Sequence, residues 1–376
     1  MEYRIFKPGE MPSDLWVAYH QIRDADPLKD NPQFDPHLAR LMGEVRPDTR
    51  IVVASQADEP VAFWPMHIRP GRWARPLGGP FSDWHGPIIS PDAHIKETDI
   101  LTGAGVYGMT VHAYLGQKMF DIPEGLAVHA SQIADVSMGF DKYIENQSKL
   151  FPKHFKKMRR ITRNTVKDFS SVEFNYDDPD PATLAWLIMN KREQYKRTNR
   201  HDVLGSDWVQ KYIDVLRHMP GDRFASKVMS MRIDGRLAAV EVNLASDRVM
   251  HGWMISYEMD FSRYSPGYQL WQEALRMMLD KGITQYDAGP SMEYYKKYFA
   301  NYTIPQASGV LRTQHSKFSP TRFAASGWRA TEHVMPRQIG HIMGRARRRG
   351  DQIAASEIQL GARVKSLLGA MKPSGD

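Results

Sequence analysis

SRYSPGYQLWQEALRMMLDKGITQYDAGPSMEYYKKYF, residues 262–299, sets the architecture. Pro266 and Gly267 open an amphipathic helical repeat that stops at Gly282, because Pro is preorganised for a first helical turn and Gly favours the position just past a helix end. ITQYDA, 283–288, then reads as a short strand, 291–299 as a short helix and 308–312 as a last strand. Upstream, 224–233, 236–246 and 248–257 are β-rich runs separated by the tight turns Asp234-Gly235 and Ser246-Asp247, which predicts an antiparallel meander. A strand over 172–176 and helices over 182–195 and 206–218 precede it.

The first half is punctuated differently. PSDLWVAYHQIRD, 12–24, places Leu15, Trp16, Tyr19 and Ile22 at helical spacing after a Pro and a Ser, which predicts a first helix. RIVVAS, 50–55, and PVAFWPMHI, 60–68, predict strands paired around the turn QADE. PLGGPFSDWHGP, 76–87, is dense in Gly and Pro and predicts a shaped loop; a helix over 95–115 and a strand over 126–135 follow. The segment 141–169 contains KHFKKMRRITRNTVK, and Phe155, Met158, Ile161 and Val166 predict one long basic helix joining two halves. The expected organisation is an α/β (α+β) half over 1–140, a linking helix over 141–170, a second domain over 171–315 and a helical tail over 316–376. In that tail RARRR, 345–349, and the spacing of Ile353, Ile358, Leu360, Val364, Leu367 and Leu368 make an amphipathic helix, suited to an acidic membrane surface or to docking on its own protein.

Composition narrows the function. The 376 residues are 42% hydrophobic, enough to fill real cores, and a net charge of +7 is too mild to argue by itself for nucleic acid. Without cysteine there is no disulfide framework, thiolate zinc site, iron–sulfur cluster or cysteine nucleophile. Glu2, Arg4, Lys7 and Glu10 interrupt the N-terminus, so no signal peptide is expected, and the apolar stretch 100–111 is shorter than the roughly twenty residues of a membrane crossing. A cytoplasmic location is expected.

The element order over 172–312 is that of GNAT acyltransferases. PGYQLWQEAL with KGITQYDAGPSMEYYKKYF resembles their CelD-like branch, associated with bacterial polysaccharide and cellulose biosynthesis, and more distantly the Fem-type aminoacyltransferases. In that branch a glycine-terminated helix runs into a strand ending in Asp, then a Gly and a Tyr-Lys pair, matched here by Asp287, Gly289, Tyr295 and Lys296. RPLGGPFSDWHGP is similar to the loop before the branch's first-half helix, so the resemblance covers most of 1–312. It implies two GNAT-like domains, each a mixed, mainly antiparallel sheet flanked by helices. It further implies a cytoplasmic N- or O-acyltransferase that uses acyl-CoA, acetyl or longer, to modify a sugar or sugar-linked exopolysaccharide precursor, with peripheral association to a membrane or a polysaccharide synthase. Two alternatives stay open: a ligase drawing on aminoacyl-tRNA, and a non-catalytic regulator that binds a nucleotide on a degenerate GNAT fold. One departure is clear. Better-known GNAT enzymes hold pyrophosphate with an Arg or Gln followed by glycines, whereas this chain offers RYSPGYQ, in which Gly267 alone matches in kind. A helix N-terminus still favours an anion there.

The donor is therefore expected against Tyr264, Ser265, Gly267, Tyr268 and Gln269, with Lys296 as a cation for a phosphate or an acidic acceptor. Glu241 interrupts an apolar strand, where burial raises a carboxylate toward the range of a general base; the alternative is a salt-bridged strand residue. His251 and Trp253 share the next strand, the imidazole as a second base or sugar donor, or simply as a core histidine beside an aromatic stripe. Tyr295 is expected as the acid for the leaving thiolate, and Asp287 as an orienter of Lys296 or the acceptor, or a turn cap. Asp83, Trp84 and His85 are expected to form an acceptor-gripping loop, since a ring stacks on a sugar while polar neighbours take hydroxyls, the alternative being a purely structural loop; a hydrolase triad is rejected because adjacent residues cannot supply its geometry. No metal is expected.

Overall fold

The computed structural model describes residues 1–318 apart from 119–121, 199, 220–222 and 291–294, together with 344, 350, 353–358, 361 and 363. The first half runs β1 (Glu2–Phe6), α1 (Ser13–Asp24), α2 (Pro36–Val45), β2 (Thr49–Gln56), β3 (Glu59–Arg69), β4 (Trp73–Pro76), β5 (Ile88–Ile89), α3 (Glu97–Gly103), β6 (Gly108–Tyr114) and β7 (Ala127–Asp135). Two helices follow, α4 (Phe140–Leu150) and α5 (Pro152–Asp168). The second half runs β8 (Val172–Asn175), α6 (Pro181–Arg197), α7 (Asp207–His218), β9 (Ala225–Ile233), β10 (Arg236–Ala245), β11 (Val249–Tyr257), α8 (Pro266–Leu279), β12 (Gln285–Asp287) and β13 (Tyr302–Arg312).

Local rules explain the boundaries. Pro occupies the opening turn of α2, α5, α6 and α8, and the carboxylates of Asp35 and Asp180 cap α2 and α6 by accepting the His37 and Ala182 N–H groups. Three expectations change. The segment 95–115 is the short α3 followed by β6, because Gly103 and Gly105 end the helix and the β-favouring run 108–114 pairs into the sheet. The single helix over 141–169 is two, broken where Phe151 leaves helical geometry ahead of Pro152. On α5 the inward positions are Phe155, Met158, Ile161 and Thr165, while Val166 faces solvent. Lys153, Lys156, Lys157, Arg159, Arg160 and Arg163 are all exposed along it.

All strands except β5 form one sheet in the order β1-β2-β3-β4-β6-β13-β7-β12-β11-β10-β9-β8; β5 pairs separately with β3. Among the described strands only β4 with β6 and β11 with β12 are parallel. The halves meet where β7 pairs antiparallel with β12, and β13, the last strand among the described residues, crosses back to lie between β6 and β7. The sequence boundary over 141–170 is thus bridged in space by the sheet itself. One core cluster packs α1 and α2 with α7 and β9 across the two halves, a second packs α8 under the meander, and a third fills the first-half sheet. Of the tail, 353–356 is helical and Ile353 is buried; carbonyls of 354, 355 and 357 accept hydrogen bonds from Arg46 or Arg69, and that of Ser356 from Trp208. Leu360, Val364, Leu367, Leu368 and the RARRR run lie outside the described residues. No described helix is long and apolar enough to cross a membrane.

The 76–87 segment is a shaped loop, held by Gln33, whose side-chain oxygen accepts from the Asp83 and Trp84 N–H groups at 2.7 and 2.8 Å. At Gly86 any Cβ would collide with the Leu115 carbonyl. Gly86→Ala should therefore lower unfolding free energy by at least about 2 kcal/mol in urea titration, because rigid backbone must move; a loss under about 0.5 kcal/mol would show that the loop relaxes freely.

Candidate active site

The parallel pairing of β11 with β12 lasts three residues, from Val249 with Gln285 to His251 with Asp287. Beyond His251, β11 stays with β10 as far as Tyr257, so it parts from the chain that leaves β12 and a cleft opens between them. Opposite this point Val242 pairs with Met254 but Asn243 with Gly252, leaving Trp253 as an extra residue in a β-bulge. A cavity of about 710 Å³ fills the cleft. Its walls come from β10 and β11 (Glu241, and Gly252 to Tyr257), the start of α8 (Ser265 to Tyr268), Tyr295 and Lys296, α6 (Asn190, Gln194) and the first-half loop (Phe81, Asp83).

Glu241 is 5% exposed on this wall. Its Oε1 accepts a 2.5 Å hydrogen bond from the Tyr286 hydroxyl, and its Oε2 is buried, with the Asn243 side chain as the other polar group acting on the carboxylate. Burial pushes its pKa up to about 7, against the opposing pull of the Tyr286 and Asn243 side chains. The same burial, with the carboxylate beside it, holds the Tyr286 phenol well above its ordinary value, so Tyr286 stays a donor. Gly252 makes room for this pair, since a Cβ there would collide with the Tyr286 hydroxyl.

Behind the cavity wall lies a chain of charges. Asp287 is fully buried; its Oδ1 accepts from Ser131 Oγ (2.6 Å) and the Gly289 N–H (2.8 Å), and its Oδ2 from Asn31 Nδ2 (2.6 Å) and Trp84 Nε1. His251, also fully buried, has Nδ1 3.2 Å from Asp287 Oδ2 and Nε2 3.2 Å from Asp83 Oδ2. Burial alone would depress this imidazole, but Asp287 and then Asp83 overcome it and push its pKa up to about 9; in turn the imidazolium holds Asp287 low despite burial. Asp83 is 35% exposed and carries this chain into the cavity.

The expected residues divide accordingly. Glu241, Asp83, Trp253, Ser265, Gly267, Tyr268, Tyr295 and Lys296 line one cavity. Trp253 stands edge-on to Phe81 and Tyr212, and Tyr295 to Trp271. Lys296 Nζ donates to the Ala288 carbonyl. Five expectations are corrected. Trp84 is 2% exposed and donates to Asp287, so its ring supports the hub and has no face free for a sugar. His85 is buried against Tyr114 and His112, and its Nε2 accepts the His112 N–H at 3.2 Å, as a neutral ring wedged under the loop. Burial holds its pKa well below the ordinary value. His251 is sealed between two carboxylates behind the wall. Tyr264 packs in the core with its hydroxyl donating to Asp168, and Gln269 donates to the Tyr264 carbonyl and Thr165, so both brace the turn before α8. Ser265 there is left-handed (φ +50°) and Gly267 has Ile255 Cδ1 3.4 Å from where a Cβ would sit. Tyr294 lies outside the described residues. Sequence reasoning missed Tyr286, Asn31, Ser131 and Gln33. Tyr286 has a signal, an aromatic phenol next to the strand-ending Asp287; the other three are ordinary polar residues whose partners are set only by the fold.

Residues 153–297 match the acetyltransferase (GNAT) domain family. No curated protein matches the chain. Among solved structures the chain is similar to the C-terminal domain (DUF2156) of a putative lysylphosphatidylglycerol synthetase from Agrobacterium fabrum, at 12% identity and TM-score 0.46 over 84% of this chain and 96% of that one. It is also similar to a tandem GNAT protein from the clavulanic acid biosynthesis pathway (10% identity, TM-score 0.47, 83% and 98% covered) and to FemX (10%, 0.49, 82% and 96%). The chain carries an acetyltransferase (GNAT) domain and is by that domain an acyltransferase.

The clamp on His251 has a thermodynamic signature. With a folded pKa near 9 against an ordinary 6.5, the protonated ring adds stability that is complete below pH 6.5 and lost as pH rises through 9. Stability measured by urea unfolding should fall more steeply over that window in the wild type than in His251→Gln; parallel curves would mean that the ring is neutral when folded.

Proposed function

We propose that the chain is an acyl-CoA-dependent N- or O-acyltransferase whose acceptor, a sugar or sugar-linked precursor, sits in the cavity between the two halves. The observation that carries this reading is Glu241, a cavity-lining carboxylate with one oxygen held by Tyr286 and a pKa pushed up to about 7. A base of that strength is matched to neutral pH. The Glu241 carboxylate takes the proton from the acceptor nitrogen or oxygen as that atom attacks the thioester carbonyl. The carbon–sulfur bond then breaks, and the departing thiolate takes the Tyr295 hydroxyl proton. The bulge at Trp253 leaves backbone outside the ladder beside the reacting carbon, suited to the developing oxyanion. The donor's pyrophosphate belongs at the start of α8, where the helix dipole favours an anion and Gly267 keeps the approach open. His251 acts as a positioning residue that fixes the Asp83 carboxylate at the cavity.

Support for a carbohydrate acceptor comes from the cavity lining, where Phe81 and Trp253 pack together and Asp83, Asn190 and Gln194 supply hydroxyl-binding polar groups. This composition suits the CelD-like, cytoplasmic role in exopolysaccharide biosynthesis that the sequence resembles. A second reading keeps the chemistry and replaces the donor with aminoacyl-tRNA. The cations exposed along α5 favour it, for Arg159 acts electrostatically on the phenol of Tyr268 at the cavity.

Acetyl-CoA or a longer acyl-CoA should raise the thermal unfolding midpoint saturably. Glu241→Gln should then lower kcat by about 100-fold or more while leaving donor affinity within about threefold, and should abolish a rate limb with an apparent pKa near 7. Donor binding without turnover on any acceptor would point to a regulator instead. Absence of any thioester shift, with tRNA binding that weakens steeply in salt, would transfer the donor role to tRNA.

A further inference from the structure

A cluster far in sequence from the cleft brings His20, near the end of α1, against Asp35 and His37, at the start of α2. One donor atom from each residue lies within 4.8 Å of the other two. His37 Nδ1 is 2.7 Å from Asp35 Oδ1, and the two imidazole rings stand 5.0 Å apart at 60°. The carboxylate is 3% exposed, whereas the His37 side chain is 36% exposed and His20 is half-buried. The site is therefore a buried anion covered by two adjustable imidazoles. Asp35 is also close enough to the buried Tyr19 phenol to act on it electrostatically, and that hydroxyl has no hydrogen-bond partner. Beside the cluster a cavity of about 670 Å³, lined by His20 with Trp16, Arg40 and Glu44, gives access from solvent. The other cation near His20, Arg223, is held by Asp24 and Asp247.

We propose that His20, Asp35 and His37 bind one zinc ion, with water in the remaining position, and that the ion clamps α1 to α2. Two imidazoles and a carboxylate are a common nitrogen and oxygen set for zinc. Bonds near 2.0–2.1 Å in a tetrahedron place ligand atoms about 3.4 Å apart, between the 2.7 Å of the His37–Asp35 contact and the 4.8 Å limit of the cluster. Zinc thus replaces the proton held between His37 and Asp35, and His20 closes on it by side-chain rotation. His37 also stacks on Phe224 at 6.5 Å, so the ion steadies a seam between the two halves. The aminoacyl or acyl donor plays no part in this site, which stands or falls apart from the proposed reaction.

The test is calorimetric titration of the metal-stripped full chain with zinc chloride, paired with thermal unfolding. About one equivalent should bind with a Kd in the micromolar range or tighter, and zinc should raise the unfolding midpoint. His20→Gln and His37→Gln should each weaken binding at least about tenfold, while His94→Gln, a change at an exposed histidine, should leave it intact. Asp35→Asn keeps a good helix cap and removes the charge, so it gives the same loss in a chain whose metal-free midpoint is close to that of the wild type. No saturable binding, or equal binding by the wild type and all three cluster variants, would overturn the proposal.

Discussion

The structure depends on one buried ion pair, Asp287 with His251. An isolated carboxylate or imidazolium in a dry interior is strongly disfavoured, and the pair is sustained only because nearly every remaining valence of Asp287 is met by a hydrogen-bond donor. Those donors come from different places in the chain: Asn31 and Trp84 from the first half, Ser131 from β7 and the Gly289 backbone just past β12. The carboxylate therefore fixes the spot where β12 stops, β11 departs and the first-half loop is drawn in. The position of the cleft follows from this hub.

Two carboxylates a few residues from the same ring are driven in opposite directions by what surrounds them. Asp287 has an imidazolium and several donors, which keep it ionised. Glu241 has only a phenol and an amide beside it, so burial dominates and it holds its proton to near neutrality. The separation is what lets one act as scaffold while the other exchanges protons.

Much of the second half was legible because its periods are clean: β9 to β11 alternate between turns that need little context, and α8 carries its own start and stop signals. Glu241 stood out as a charge in an apolar strand. The first half was harder. The glycines around residue 105 are compatible with a helix end or a strand start, and only pairing with β13, from the far end of the sequence, made 108–114 a strand. His85 and Trp84 show the complementary difficulty: their residue types suit a sugar, but which way each points depends on Asp287 and Tyr114, which no local pattern reveals. Val166 and Thr165 differ by one position, and the helix face was decided by Gln269 reaching Thr165.

The insertion of β13 between β6 and β7 sets an order of events during synthesis. Until the ribosome has delivered residues 302–312, β6 and β7 each present an open hydrogen-bonding edge, and β7 has neither of its two neighbours, since β12 also lies in the second half. The first half therefore waits, incomplete, for almost the whole described chain to emerge, and its contacts are among the most distant in sequence that the fold contains. Such long-range closure is slow and leaves edges open to other chains in the meantime. Cutting the chain at its apparent midpoint would separate β7 from β12 and β13 and leave each piece with part of a shared sheet.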